Sequence, residues 1–169
     1  MDPNKFEFCI IKDFPMYEWN EEEEKYDFTH NPFNNPKGGS KALENENIDE
    51  IVAEQFDFVC NGVEMASGAV RNHDPEVMKK AFAVVGLGED VIEEKFGALY
   101  TAFQYGAPPH AGMAPGIDRM LMMLLDEDSI RETIAFPLNA NGADSLMQAP
   151  SDISELQLRE AHIKIREKN

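Results

Sequence analysis

The chain has 169 residues, 43% of them hydrophobic and 28% charged, which is enough for one globular domain with a core and excludes a disordered chain. A formal net charge of −17 sets the chain against a polyphosphate backbone, so any nucleic-acid surface is expected on another chain or domain. There is no apolar run of the ~20 residues that span a bilayer, no charged-then-apolar leader, and Cys9 and Cys60 offer neither a disulfide framework nor zinc spacing, so a reduced, cytoplasmic protein is expected.

In chain order, Phe6 to Ile11 reads as a strand that Pro15 ends, and Tyr17 to Glu24 as a connector. Tyr26 to Thr29 is a short strand, and Asn31 to Ser40, with two prolines and two glycines, is a loop. The acidic runs at Glu21–Glu24 and from Glu44 to Glu50 read as solvated loop. Gln55 to Arg71 predicts a β-hairpin around Asn61-Gly62, a type I′ turn signal. Asp74 then caps a helix with Pro75 at its first position, ending near Gly86. A second helix is predicted from about Glu89 to Gln104, and a short one from Ser129 to Ile134. The last helix starts at Ser154, which forms a capping box with Gln157. No repeat and no interior domain boundary are visible in the sequence, and the alternation of elements predicts an α+β fold, an antiparallel sheet flanked by helices.

The hairpin has chemistry on one face. With Asn61-Gly62 at the turn, Cys60 pairs with Val63, Val59 with Glu64 and Asp57 with Ala66. Asp57 and Glu64 become diagonal neighbours, about 7–8 Å apart at the backbone. Two converging carboxylates either share a cation such as Mg²⁺, with phosphate oxygens completing its shell, or lie on a merely solvated face. Arg71 lies seven residues after Glu64, an odd spacing that puts it on the opposite face of a regular strand. The small residues between them suit a β-bulge, predicted near Ser67-Gly68, that would turn Arg71 onto the Glu64 face as a fork for a carboxylate. His30, at the mouth of the 31–40 loop, is either a group that meets a ligand or an ordinary loop histidine. His73, His110 and His162 read as structural.

Gly106-Ala107-Pro108-Pro109-His110-Ala111-Gly112-Met113-Ala114-Pro115-Gly116-Ile117-Asp118-Arg119 carries most of the information. Its small residues leave room beside the backbone, and the apolar run Met120 to Leu125 predicts a buried helix. Arg119 sits in that helix's first turn, where free N–H groups and the helix dipole favour an anion and a guanidinium adds a phosphate fork. Read locally, an Asp118–Arg119 structural pair fits equally well.

Taken in order, Asp13 to Met16, Thr29 to Phe33, Asp57 to Glu64, Ser67 to Arg71, Gly106 to Arg119, Ile134 to Pro137 and Ala149 to Ser151 resemble the C-terminal part of bacterial-type aspartyl-tRNA synthetases, class II aminoacyl-tRNA synthetases. The resemblance implies catalytic roles for Arg119 and Arg71. It implies ATP binding by Glu64, Gly116, Ile117, Asp118 and Arg119, with magnesium held by Glu64 and its companion Asp57. It implies aspartate binding by Arg71 and by His30, on a mobile loop. It further implies ATP with Mg²⁺, L-aspartate and tRNA as the reaction's partners and a homodimer in the full-length family. The anticodon-binding barrel, the dimer-forming motif and the second class II motif of that family have no counterpart here, so the chain is expected to supply part of a catalytic domain and to be inactive alone. Two other readings remain: a non-catalytic nucleotide- or amino-acid-binding paralogue, and a related ligase such as asparagine synthetase or asparaginyl-tRNA synthetase.

Overall fold

A computed structural model describes residues 5–166. They fall into two compact units that divide after Arg119, within one helix.

The first unit is built on a four-stranded antiparallel sheet. Its strands are β1 (Phe8–Pro15), β4 (Val52–Cys60), β5 (Val63–Val70) and β6 (Ala111–Pro115), in the spatial order β1-β4-β5-β6. The β4–β5 turn places Asn61 at φ 48° and Gly62 at φ 83°. Both central positions are left-handed, as type I′ requires, which is why Asn-Gly marks the turn so clearly. The predicted connector after Pro15 is instead a strand. β2 (Tyr17–Asn20) pairs with β3 (Lys25–Phe28) in a separate hairpin. The glutamate run that suggested a loop forms only its turn, where Asn20 Oδ1 accepts from the N–H groups of Glu22 and Glu23.

Two helices complete this unit. α1 (Pro75–Val84) begins where expected, because Asp74 Oδ1 accepts from the N–H groups of Glu76 and Val77. α2 (Glu89–Gln104) matches its predicted span but is kinked at Phe96. One buried cluster joins Met16, Tyr17, Ile51 and Ala53 to Ala81 of α1 and to Val85, which caps it. Burial pushes the Tyr17 phenol well above its ordinary pKa, and its hydroxyl donates to the Ala81 carbonyl at 3.0 Å. A second cluster, Met78, Phe82, Ile92 and Tyr100, locks α1 to α2. The Asp74→Ala variant should lose about 1 kcal/mol of stability, the usual value of such a cap, read as a lower urea midpoint at unchanged slope.

In the second unit the sequence expectations meet the structure unevenly. α3 (Ile117–Leu125) forms, but none of its residues is buried and Leu124 is 70% exposed. The apolar run specified a helix; burial also needs a covering surface, which a sequence window does not contain. The helix predicted at 129–134 shrinks to a single 3-10 turn, Ile130–Glu132, capped by Ser129. α4 (Glu155–Glu160) opens with both bonds of the Ser154–Gln157 capping box.

Candidate active site

The β4–β5 register settles the geometry of the hairpin face. Val59 pairs with Glu64, Phe58 with Ala66, Asp57 with Ser67 and Gln55 with Ala69. Met65 is therefore an extra residue: the bulge exists, but two residues before Ser67, and Asp57 faces Ser67 rather than Ala66. The steric reason is visible at Gly68. A Cβ there would sit 2.6 Å from the Gly112 carbonyl and 2.8 Å from Met113 Cβ, so β5 runs tight and regular against β6 at that point. The irregularity falls at Met65, just before the β5–β6 pairing begins at Ala66. The Met65 side chain is 6% exposed, and its carbonyl accepts from Gly116 N–H at 2.8 Å.

Parity follows from that one extra residue. Asp57 and Gln55 of β4, with Glu64, Ser67, Ala69 and Arg71 along β5, share one face. The acids and the arginine read as candidates in the sequence therefore lie on the same side of the sheet, with Glu64 and Arg71 at opposite ends of a run of roughly 20 Å and Asp57 between them, opposite Ser67.

At one end is a cavity of about 380 Å³. Ser67, Gly68, Ala69, Gly112 and Ala114 contribute the small residues of its lining, so the glycine and alanines of the 106–119 stretch leave open space above the backbone. Arg71, His30, Asn31, Asn34 and Gln55 supply its polar groups. The Arg71 guanidinium has no ion pair among the described residues. Its backbone is fixed on both sides, with its N–H donating to the His110 carbonyl at 3.0 Å and its carbonyl 3.2 Å from His73 Nδ1. His30 is held edge-on against Phe14 at 5.5 Å between ring centres.

The loop bearing His30 is anchored rather than free-standing. Asn35 N–H donates to the Val70 carbonyl and Asn72 N–H to the Phe33 carbonyl. Glu54 N–H donates to the Asn35 carbonyl, and Lys37 N–H to that of Val52. The loop thus wedges between the ends of β4 and β5. Lys37 also bonds the Asp13 carboxylate at 2.7 Å, which holds Asp13 below the usual carboxylate range.

At the other end lie Glu64 and Arg119. Arg119 Nη1 donates to the Glu64 carbonyl at 2.7 Å and sits 3.2 Å from Glu64 Oε1. Gly116 supports this contact: its N–H is the one held by Met65, and its Cα packs beside the Arg119 side chain. Asp118 has an interaction of its own, and Ile117 is 64% exposed. Asp57 Oδ1 is buried with no partner. Glu64, Asp57 and Arg119 do not line the cavity that holds Arg71 and His30. Glu64 and Arg119 form one cluster, Arg71 and His30 line a separate cavity, and the two do not share one chamber.

The buried amides Asn34 and Gln55 escaped the sequence reading. Their signal was faint, since an asparagine in a Pro-rich loop and a glutamine in a strand are both commonplace.

The antiparallel sheet with its flanking helices is an α+β fold, and the chain belongs to the tRNA synthetases class II (D, K and N), whose family model matches residues 1–140. It is 59% identical over 165 residues to the aspartate–tRNA(Asp/Asn) ligase of Phenylobacterium zucineum, and 54% identical over 165 residues to the aspartate–tRNA ligase of Streptomyces avermitilis. Each alignment covers 98% of this chain and 28% of the relative, so the chain spans little more than a quarter of the length of these curated relatives. Among solved structures it resembles the aspartyl-tRNA synthetase of Entamoeba histolytica, with a TM-score of 0.58 and 24% identity over 81% of this chain and 23% of that one. It also resembles the asparaginyl-tRNA synthetase of the same organism in complex with asparaginyl-adenylate, with a TM-score of 0.54 and 21% identity over 75% of this chain and 24% of that one. Those two likenesses speak for the fold.

Proposed function

We propose that the whole chain is the C-terminal portion of a class II catalytic domain and supplies aspartate- and ATP-binding residues to an aspartate–tRNA ligase. The single observation that carries this reading is the Met65 bulge. It brings Arg71 onto the face of Asp57 and Glu64, an arrangement with no evident structural purpose, since the Arg71 guanidinium has no ion pair among the described residues.

In this reading Arg71 receives the side-chain carboxylate of L-aspartate as a bidentate fork, with His30 beside it at the cavity mouth. An unpaired guanidinium in a small cavity is an anion site, and the cavity volume suits a small metabolite. Arg119 holds a phosphate oxygen of ATP, with Gly116, Ile117 and Asp118 shaping the turn around it. Its own partner, Glu64, sets the angle of the guanidinium. The reaction is attack of the aspartate α-carboxylate on the α-phosphorus of ATP, with release of pyrophosphate, followed by transfer of the aspartyl group to tRNA. The residues accelerate it by positioning and by preorganised charge.

Asp57 and Glu64 fit magnesium. Asp57 Oδ1 is a buried acceptor without a donor, and Mg²⁺ takes one or two carboxylates with phosphate oxygens and water. When bound, it neutralises phosphate charge. tRNA binding and dimer formation belong, in this reading, to the complete ligase acting in the cytoplasm. Among the described residues no helix is long and apolar enough to cross a membrane.

Aspartate-dependent ATP–pyrophosphate exchange tests the proposal. The chain alone should show none. A full-length Phenylobacterium zucineum ligase in which this chain replaces its matching segment should exchange at near the parental rate. A well-folded chimera without exchange would end the reading in favour of a non-catalytic paralogue. Exchange driven by asparagine instead of aspartate would favour the asparagine-specific alternative.

A further inference from the structure

Two amides sit in the lining of the Arg71 cavity where apolar residues would pack more cheaply. Asn34 is 3% exposed and Gln55 6%. Burying an amide costs free energy unless its groups are bonded, so each calls for a reason. They satisfy one another only once: Asn34 Nδ2 donates to Gln55 Oε1 at 2.8 Å. Asn34 Oδ1 is buried with no partner, and Gln55 Nε2 makes no hydrogen bond with any described residue. The bond that is made fixes the orientation of Gln55. Its oxygen is consumed, so its NH₂ is the end left to offer. Register places Gln55 opposite Ala69, two residues from Arg71 on the same face. Asn34 in turn pairs with Arg71 through a backbone bridge. Donor amide and guanidinium therefore flank the same small-residue floor.

We infer that Gln55, oriented by Asn34, is a specificity residue that donates beside Arg71 to the side-chain carboxylate of the bound amino acid. This deepens the proposed function and rests on it. A carboxylate has two oxygens and four lone pairs and satisfies two donors at once. The side-chain amide of asparagine has one oxygen; its NH₂ would be turned either against Gln55 Nε2 or against the guanidinium, donor facing donor. A polar group left unpaired in a closed site is what gives strong discrimination between isosteres. Asn34 is a positioning residue: without it, Gln55 is free to flip and present its oxygen to the carboxylate.

The test is NMR titration of the ¹⁵N-labelled chain with L-aspartate and, separately, L-asparagine. The spectrum itself reports whether each variant is folded. The wild-type chain should bind aspartate more tightly than asparagine. Gln55→Met, which keeps the volume and removes the donor, should weaken aspartate about tenfold and leave asparagine nearly unchanged, so that the ratio collapses. Asn34→Ser should move the ratio in the same direction by a smaller factor. Arg71→Met should remove aspartate binding whatever stands at 55. If Arg71→Met abolishes binding while Gln55→Met leaves the aspartate-to-asparagine ratio as in wild type, the role of Gln55 is wrong and the Arg71 site stands. If the folded wild-type chain binds no aspartate, both fall.

Discussion

Replacing Arg71 with methionine in the full-length chimera should lower kcat/KM for aspartate by about two to three orders of magnitude, the size of effect expected when a charge is left unpaired in a partly closed site. The expectation follows from what Arg71 does not do. Its guanidinium has no carboxylate partner among the described residues, while its backbone is bonded to His110 and lies against His73. The side chain is exposed, so the fold should barely notice its loss, with stability changed by no more than about 0.5 kcal/mol. A large loss of activity at constant melting temperature is therefore the signature. Arg71→Lys should recover only part of the rate, because an ammonium keeps the charge but not the fork. KM for ATP should change far less than KM for aspartate, since the Glu64–Arg119 cluster lies at the other end of the strand. Equal losses for both substrates would mean that Arg71 holds the site together rather than reading the amino acid.

Much of this arrangement could be read from residues in the sequence, and the failures have a common cause. The β4–β5 turn, the caps of α1 and α4 and the span of α2 were legible because each is local. Asp74 and Ser154 satisfy backbone N–H groups within a few residues of themselves, and Asn61-Gly62 supplies the two left-handed positions of its own turn. The face occupied by Arg71 was legible because parity is arithmetic: an odd spacing and a shared face require one extra residue. Where that residue sits was not legible. The sequence points to Ser67-Gly68, the small pair, but Gly68 is small for another reason, the close approach of Gly112 and Phe56. That contact is with other strands, and no window around Gly68 contains it. The exposed α3 and the missed β2 strand fail in the same way. An apolar run does not reveal what will cover it, and Tyr17-Glu18-Trp19-Asn20 becomes a strand because Tyr26 and Phe28 pair with it. The Asn34–Gln55 pair joins residues 21 positions apart and has no signature at all.

Deleting Met65 should separate the two halves of the site. The deletion cuts the spacing from Glu64 to Arg71 from seven residues to six, an even number, so a regular strand keeps both on the Asp57 face. Val59 can still pair with Glu64 and Phe58 with Ala66, with nothing between them, and Ala66 to Ala69 stay bonded on both sides, to β4 and to β6. The loss is confined to the turn end. Gly116 N–H loses the Met65 carbonyl that fixed it, at the entry to the helix that carries Arg119. Losing the buried Met65 side chain should itself cost about 1.5–3 kcal/mol of stability, which the chain must survive for the test to be read by NMR. In the chimera, exchange should weaken chiefly through a raised KM for ATP, because the turn that seats Arg119 is no longer held. In the isolated chain, aspartate should still shift the resonances of Arg71 and Gln55 with close to wild-type affinity. Substituting Met65 with leucine keeps the backbone contact and the volume and should leave both measurements near wild type, which separates loss of that contact from loss of the methionine side chain. If deletion abolishes aspartate binding in a folded chain while Met65→Leu does not, the strand has slipped toward Arg71, and the double pairing of Ala66 to Ala69 does not hold that end of the site in place.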